Sequence, residues 1–171
     1  MKTSILMVCL GNICRSPTAQ GVMEHLVVEA GLVDKVTIDS AGTGDWHVGR
    51  QADPRTREAA LRRGYDLSAQ RARQVQREDF ERFDYVLAMD RQNYRDLVDL
   101  APPELTHKVT LLLDHAGPAG RDVPDPYYGE TDGFEEVLDL VEHACAAFLK
   151  KLAAEQGYAM RLAATTEEPS G

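Results

Sequence analysis

The stretch VCLGNICRSPTAQ, residues 8–20, decides the fold, because it joins an apolar run to an amphipathic helix. The run, residues 5–10, has the continuous apolar character of a strand that is buried on both faces of a parallel sheet. Ser16 and Pro17 are typical of a helix N-cap and of the first turn after it, and Gly31 is a typical helix stop. The stretch therefore predicts a strand, a tight turn and a helix.

The rest of the chain repeats this alternation of strand and helix. A loop over 114–131 precedes a last helix, whose apolar stripe includes Cys145 as a small core residue. Such alternation is typical of an α/β sandwich with a parallel sheet, in which ligands bind beyond the carboxyl ends of the strands. The other predicted elements are three strands and two helices, at residues 36–39, 54–64, 85–89, 92–100 and 109–113.

Length and composition predict one domain over residues 1–156 and a flexible C-terminal tail over 157–171, where the apolar periodicity stops. A net charge of −9 argues against a nucleic-acid or membrane partner that binds through overall electrostatics. Three cysteines are too few for a secreted disulfide framework, so we expect free thiols and a cytoplasmic location. No sequence feature sets an oligomeric state.

The turn between the first strand and helix has the features of an anion cradle. Backbone N–H groups at a helix N-terminus lack intrahelical partners, and the helix dipole adds positive charge. Cys9 begins the turn and Arg15 follows six residues later, while Gly11 and Asn12 suit unusual backbone angles. A curled loop could therefore bring a thiol below a tetrahedral oxyanion and a guanidinium fork beside it.

A thiol and an arginine in one cradle point to attack on phosphorus. The positive field is expected to lower the pKa of the Cys9 thiol and so to produce a nucleophilic thiolate. Alternatively, Cys9 is a small buried residue and Arg15 a solvated charge, which leaves Gly11 and Asn12 without a joint reason. No metal ligands cluster in the sequence, and this chemistry requires neither a metal nor a cofactor.

Phosphoryl transfer also requires a proton for the departing oxygen. Asp125, in VPDPYYG at residues 123–129, follows the fourth predicted strand and so lies at the same sheet edge as Cys9. Flanking prolines would fix its backbone. From the pattern alone, Asp125 is either this acid or an ordinary turn aspartate.

Together with SAGT at 40–43 and MDRQN at 89–93, these motifs resemble the low-molecular-weight protein tyrosine phosphatase family, in order, from about residue 3 to 150. The resemblance implies a three-layer, flavodoxin-like sandwich with a four-stranded parallel sheet of order 2-1-3-4. It also implies hydrolysis of phosphotyrosine in proteins and of small aryl phosphates through a phosphocysteine intermediate, without cofactor or metal.

The resemblance implies a role for each matching residue. Cys9 is the nucleophile, Arg15 holds the phosphoryl group and Asp125 is the general acid. Ser16 hydrogen-bonds the thiolate, and Asn12 braces the loop with Ser40. The phosphate-binding loop comprises Leu10, Gly11, Asn12, Ile13, Cys14, Arg15 and Ser16.

Two features of the loop region concern its support and its oxidation. Gln70 stands where the family usually carries a histidine that supports the loop asparagine, so a different supporting network is expected. Cys14 matches the second member of a pair that, in the family, forms a protective disulfide with the nucleophile, here Cys9. Alternatively, Cys14 only fills space beneath the loop.

Aromatic residues predict a substrate slot. Trp46, Tyr127 and Tyr128 could wall a deep slot that accepts phosphotyrosine and leaves the shorter phosphoserine out of reach, although loop aromatics also pack without such a role. Both tyrosines match positions that are phosphorylated in the family, which adds a cognate tyrosine kinase to the candidate partners. The arginine-rich segment 55–82 is either a docking face for acidic phosphoproteins or, as we favour, a solvated surface with mixed ion pairs.

Two other functions fit the same loop. An arsenate reductase would relay oxidation through further downstream cysteines, but Cys145 lies on the core stripe. A non-catalytic module that binds oxyanions or phosphoproteins would be expected to lose the nucleophile, the arginine or the acid, and this chain keeps all three. Phosphatase activity is therefore the favoured interpretation.

Overall fold

Four parallel strands form the central sheet, in the order β2-β1-β3-β4. The structure is a computed structural model that describes residues 2–127 and 132–161. It confirms the α/β class and the predicted strand order. The strands are β1 (Thr3–Cys9), β2 (Val36–Gly42), β3 (Tyr85–Ala88) and β4 (Val109–Leu111), and the helices are α1 (Arg15–Glu29), α2 (Pro54–Arg62), α3 (Asp79–Arg82), α4 (Arg91–Leu100) and α5 (Asp132–Gln156).

Strand β1 lies in the middle of the sheet, which explains its continuous apolar sequence. Ile5 and Met7 face one core, whereas Leu6 and Val8 face the other. All four side chains are fully buried, because successive residues of a strand point to opposite faces and both faces are covered by helices.

Helices cover the two faces of the sheet in separate layers. Helices α1 and α5 pack together on one face, and α3 and α4 cover the other, where Phe80 and Leu97 are fully buried. Cys145 lies on the inner face of α5 with its sulfur near the Ala19 carbonyl of α1. The prediction that Cys145 is a core residue is confirmed, and burial raises the pKa of its thiol well above the ordinary value.

Several element boundaries differ from the sequence prediction. Strand β2 continues to Gly42 instead of ending at residue 39, and the short helix α3 was not predicted. Strand β4 ends at Leu111 rather than at residue 113, because Leu112 and Leu113 both pack into the core formed with α5, which strict strand alternation forbids. They begin a 3-10 turn over residues 112–115. Helix α1 starts at Arg15, with Cys14 at the N-cap position, so the prediction that Ser16 is the N-cap is wrong. The Ser16 hydroxyl binds groups of the site instead, as described below.

The residues just after α5 pack against the domain. The Tyr158 hydroxyl hydrogen-bonds with the Thr3 hydroxyl at 2.8 Å, and the Arg161 N–H donates to the Ala30 carbonyl at 2.7 Å. The first part of the predicted tail is thus attached to the packed unit, and residues 162–171 lie outside the described residues. In the part of the chain that the structure describes, no helix has the length and apolar character needed to cross a membrane.

Candidate active site

Residues 9–15, called the cradle loop here, connect the end of β1 to α1 at the carboxyl edge of the sheet. Four of its carbonyl groups accept hydrogen bonds from surrounding backbone. Cys9 and Leu10 accept from the N–H groups of Thr43 and Gly44, which follow β2. Ile13 and Cys14 accept in the same way from Asp53 and Thr18.

These carbonyl contacts orient the N–H groups of the cradle loop. In a trans peptide the C=O of one residue and the N–H of the next point in opposite directions. Carbonyls that are turned toward the framework therefore leave the following N–H groups, those of Leu10, Gly11, Cys14 and Arg15, directed toward the interior of the loop. The result is a concave set of donors at a helix N-terminus, which suits an oxyanion.

The Cys9 sulfur lies at the base of the cradle loop, and the residue is 2% exposed. The Ser16 hydroxyl oxygen is 3.0 Å from this sulfur, and the Asn12 N–H donates to it at 3.3 Å. Donors at these distances stabilise negative charge on the sulfur. The structure thus brings the predicted nucleophile and Ser16 together.

Asn12 fixes the curve of the cradle loop. Its φ of 56° lies in the left-handed region, which asparagine tolerates better than most residues. The side-chain amide donates to the Ser16 and Ser40 hydroxyls at 2.8 and 3.0 Å, and its oxygen accepts from the Arg73 N–H at 3.0 Å. The contact with Ser40 is the one expected from the sequence.

The support behind Asn12 runs through Gln20. The Ser40 hydroxyl donates to the Gln20 side-chain oxygen at 2.7 Å, whereas Gln70 donates to the Pro17 carbonyl at 3.1 Å. This role of Gln20 was not predicted, although Gln20 lies one helical turn after Ser16 and so on the same face of α1. Neither amide ionises, but the Glu24 side chain hydrogen-bonds with Gln20, so an ionisable group lies next to this branch.

Arg15 is 3% exposed, and anionic groups surround its guanidinium. Its Nη1 donates to the Asp90 carboxylate at 2.6 Å and to the Val123 carbonyl at 3.2 Å, and its Nη2 lies 3.6 Å from the Asp125 carboxylate. Burial opposes the charge, but Cys9, Asp90 and Asp125 together raise the pKa of Arg15 above its ordinary value. The guanidinium is therefore a fixed positive charge.

Asp90 holds Arg15 and caps α4 at the same time. One carboxylate oxygen receives the guanidinium, and the other accepts from the Asn93 N–H at 2.7 Å. The role of Asp90 was not predicted, although an aspartate at the carboxyl end of β3, next to β1, was a usable signal in the sequence.

Asp125 borders the same cleft as the cradle loop and is partly open to solvent, with 37% of its side chain exposed. Its Oδ1 accepts a hydrogen bond from the Tyr127 N–H at 3.0 Å, and this contact forms an Asx turn. The structure therefore brings Cys9, Arg15 and Asp125 to one cleft, as the sequence predicted.

The cleft has a volume of about 350 Å³. Its rim includes Trp46 and Tyr127, although Trp46 remains 66% exposed, and Tyr128 lies outside the described residues. His47, which sequence analysis left without a role, also lines the cleft, with its ring centroid 6.2 Å from that of Tyr127. No periodicity marks such a loop histidine, so only the structure reveals it.

Cys14 also borders the cleft, and burial raises the pKa of its thiol to about 12. Among the described residues, no group of three His, Cys, Asp or Glu side chains could hold a metal ion.

In the arginine-rich segment 55–82, carboxylates pair with Arg55, Arg62, Arg63 and Arg73, which agrees with a surface of mixed ion pairs.

The fold and the site define an α/β protein with an oxyanion cradle that holds a thiol and a guanidinium. The family model described as low molecular weight phosphotyrosine protein phosphatase matches residues 4–157. A putative low molecular weight protein-tyrosine-phosphatase of Synechocystis is 48% identical over 153 residues, which are 88% of this chain and 97% of that protein.

Two solved structures agree with this match. A crystal structure of a protein tyrosine phosphatase from Entamoeba histolytica is similar with a TM-score of 0.86 and 41% identity, over 91% of this chain and 99% of that chain. The crystal structure of YfkJ from Bacillus subtilis has a TM-score of 0.86 and 40% identity, over 91% and 98% of the two chains. The chain belongs to the low molecular weight phosphotyrosine protein phosphatase family.

Replacement of Asp90 by asparagine should separate the two contacts of this residue. The new amide oxygen would still cap α4, so any fall in Tm should come from the lost pairing of the buried Arg15 charge and not from a lost cap. The charge-assisted bond to Arg15 would be lost, and since such bonds are worth about 1.5–3 kcal/mol, kcat/KM for an aryl phosphate should fall roughly 10- to 100-fold. The measurements are Tm and steady-state kinetics, with Asp96→Asn on the same helix as the control. A normal kcat/KM with a lowered Tm would show that Asp90 acts only in stability and not through Arg15 in catalysis.

Proposed function

We propose that the chain hydrolyses phosphotyrosine in proteins and small aryl phosphates through a phosphocysteine intermediate. One observation carries this proposal: the Cys9 sulfur, the Arg15 guanidinium and the Asp125 carboxyl border the same cleft around a loop of inward N–H groups. Family membership supports it, since relatives are named protein-tyrosine-phosphatases.

In the first step the Cys9 thiolate attacks phosphorus from below the cradle loop. The S–P bond forms as the P–O bond to the phenol breaks, and Asp125 gives its proton to the departing oxygen. The guanidinium fork of Arg15 and the loop N–H groups hold the three equatorial oxygens, where charge is spread in the transition state.

In the second step a water molecule attacks the phosphocysteine. The Asp125 carboxylate, now deprotonated, accepts a proton from this water as the new P–O bond forms and the S–P bond breaks. Inorganic phosphate leaves, and the Cys9 thiolate is restored with the Ser16 hydroxyl and the Asn12 N–H as its partners.

The aromatic side chains that line the cleft favour substrates with an aromatic ring. Cys9 is 2% exposed, and Trp46 and Tyr127 line the same cleft. The ring of phosphotyrosine would extend through this cleft and contact the aromatic side chains, while phosphoserine is too short to reach the base.

The proposed phosphatase chemistry also bears on the substrate, the cellular location and a kinase partner. We infer a phosphotyrosine protein as substrate and a cytoplasmic location, because Cys9, Cys14 and Cys145 are free thiols in the structure. We also propose that a cognate tyrosine kinase phosphorylates Tyr127, which lines the cleft. The added phosphate would place negative charge at the opening through which the substrate enters.

The two other functions are not favoured. The third cysteine, Cys145, is fully buried between α5 and α1, so it is badly placed to relay oxidation in an arsenate reductase. A non-catalytic binding module has no need for a nucleophile and an acid, both of which border the cleft beside Arg15.

Cys9→Ser should abolish turnover of 4-nitrophenyl phosphate and retain binding of inorganic phosphate, because the N–H groups and Arg15 remain. Turnover is measured with excess enzyme, and phosphate binding by calorimetry. Cys145→Ser, which alters a buried thiol away from the cleft, is the control and should stay active if it folds. Substantial activity in Cys9→Ser would exclude this residue as the nucleophile.

Asp125→Asn should slow hydrolysis of phenyl phosphate by roughly 10²- to 10⁴-fold, the usual span for a positioned general acid. The loss in kcat/KM should shrink for 2,4-dinitrophenyl phosphate, whose leaving group needs little protonation. Asp99→Asn, which alters an exposed carboxylate on α4, is the control. A loss that is equal across leaving groups would show that Asp125 is structural.

Peroxide should inactivate the enzyme reversibly through a disulfide between Cys9 and Cys14, which border the same cleft. Sulfenic acid formed on Cys9 would condense with the Cys14 thiol and release water, before further oxidation becomes irreversible. Cys14→Ser should therefore keep most activity but lose recovery by dithiothreitol after peroxide treatment. Equal recovery in the variant and the original protein would refute the pairing.

A further inference from the structure

Arg55, in the first turn of α2, contacts three separate parts of the molecule. Its Nη2 donates to the Tyr127 carbonyl at 3.1 Å. Its Nε and Nη2 also form a fork on the Asp53 carboxylate at 3.1 and 3.0 Å. The guanidinium carbon lies 5.4 Å from the ring centroid of Tyr127 and 5.0 Å from that of Phe134, near the start of α5.

Tyr127 connects Arg55 to the carboxyl of Asp125. The N–H of Tyr127 donates to Asp125 Oδ1 at 3.0 Å, while its C=O accepts from Arg55 at 3.1 Å. Both contacts depend on the backbone orientation of this one residue. A change in the position of Tyr127 would therefore move the carboxyl relative to the cleft.

Asp53 anchors Arg55 to the cradle loop. The Asp53 side chain is 9% exposed, caps α2 through the Arg55 N–H, and its own N–H donates to the Ile13 carbonyl at 2.9 Å. Burial opposes charge on this carboxyl, but the hydrogen bonds from Arg55 prevail and lower its pKa. A continuous set of contacts thus leads from the cradle loop through Asp53, Arg55 and Tyr127 to Asp125.

The segment 122–127 is also held at its other end. The Arg91 N–H and guanidinium donate to the Asp122 carboxylate, and the Val123 N–H donates to the Met89 carbonyl at 2.8 Å. Arg91 therefore fixes the start of the segment, and Arg55 holds its far end at Tyr127.

We propose that Arg55 is a positioning residue for the general acid: by holding Tyr127 against the cradle loop, it keeps the Asp125 carboxyl directed into the cleft. The inference rests on the general-acid role of Asp125 in the proposed function. Arg55 does not contact the reacting atoms in this account. Its loss should therefore affect proton donation and leave oxyanion binding intact.

The test compares kcat/KM for Arg55→Gln on phenyl phosphate and on 2,4-dinitrophenyl phosphate. We expect a loss of about tenfold for phenyl phosphate and of less than about threefold for the dinitrophenyl ester. Inhibition by inorganic phosphate should stay within about twofold of the original value, because the cradle is unchanged. Arg57→Gln, which removes a charge from the same helix and whose guanidinium donates to the Ala52 carbonyl, is the matched control and should behave like the original protein.

A second arm places Arg55→Gln in the Asp125→Asn background, where it should cost less than about twofold because no proton remains to be positioned. A tenfold further loss there, or an equal loss for both leaving groups, would overturn the proposal. If Arg55→Gln lowers Tm strongly, Arg55→Lys, which keeps the charge beside Asp53 but lacks the planar fork, gives the same comparison with a smaller loss.

The two proposals fail differently. If Asp125→Asn shows the dependence on the leaving group and Arg55→Gln does not, only the positioning role of Arg55 is overturned. If Asp125→Asn itself shows no such dependence, the general-acid role fails and the inference about Arg55 fails with it.

Discussion

The burial of the Arg15 guanidinium is the constraint on which the site depends. A buried charge is costly unless it is paired and hydrogen-bonded, and this one is 3% exposed. The fold compensates it with the Asp90 carboxylate, the Val123 carbonyl and, more distantly, the Asp125 carboxylate. These partners come from the end of β3 and from the segment after β4, so charge compensation joins three parts of the chain at one edge of the sheet.

The same edge concentrates positive charge around the concave side of the cradle loop. The N-terminus of α1, the inward N–H groups and Arg15 all favour an anion, and they also favour negative charge on the Cys9 sulfur at the base of the loop. The framework fixes this arrangement by binding the carbonyls of the cradle loop from outside. Substrate binding then requires little rearrangement of donors, which is the condition for strong electrostatic stabilisation of a transition state.

The support of the cradle loop relies on amides where the family usually has an ionisable group. Asn12 is held by Ser40, and Ser40 by Gln20, while Gln70 binds the Pro17 carbonyl. Amides and hydroxyls keep the same hydrogen-bonding capacity across the pH range in which a histidine would titrate. Glu24 hydrogen-bonds with Gln20 at the end of this branch, and burial raises the pKa of its carboxyl.

The sequence by itself determined the sandwich, the central strand and the position of the cradle loop, because strand and helix periods and the spacing from Cys9 to Arg15 are local properties of the chain. Only the tertiary structure decided which groups hold these residues in place. Arg15 and its partner Asp90 are 75 residues apart, and Arg55 and Tyr127 are 72 apart. Such pairs meet because the segments that follow adjacent parallel strands lie at the same edge of the sheet. No periodicity in the sequence predicts which side chains of these segments contact each other.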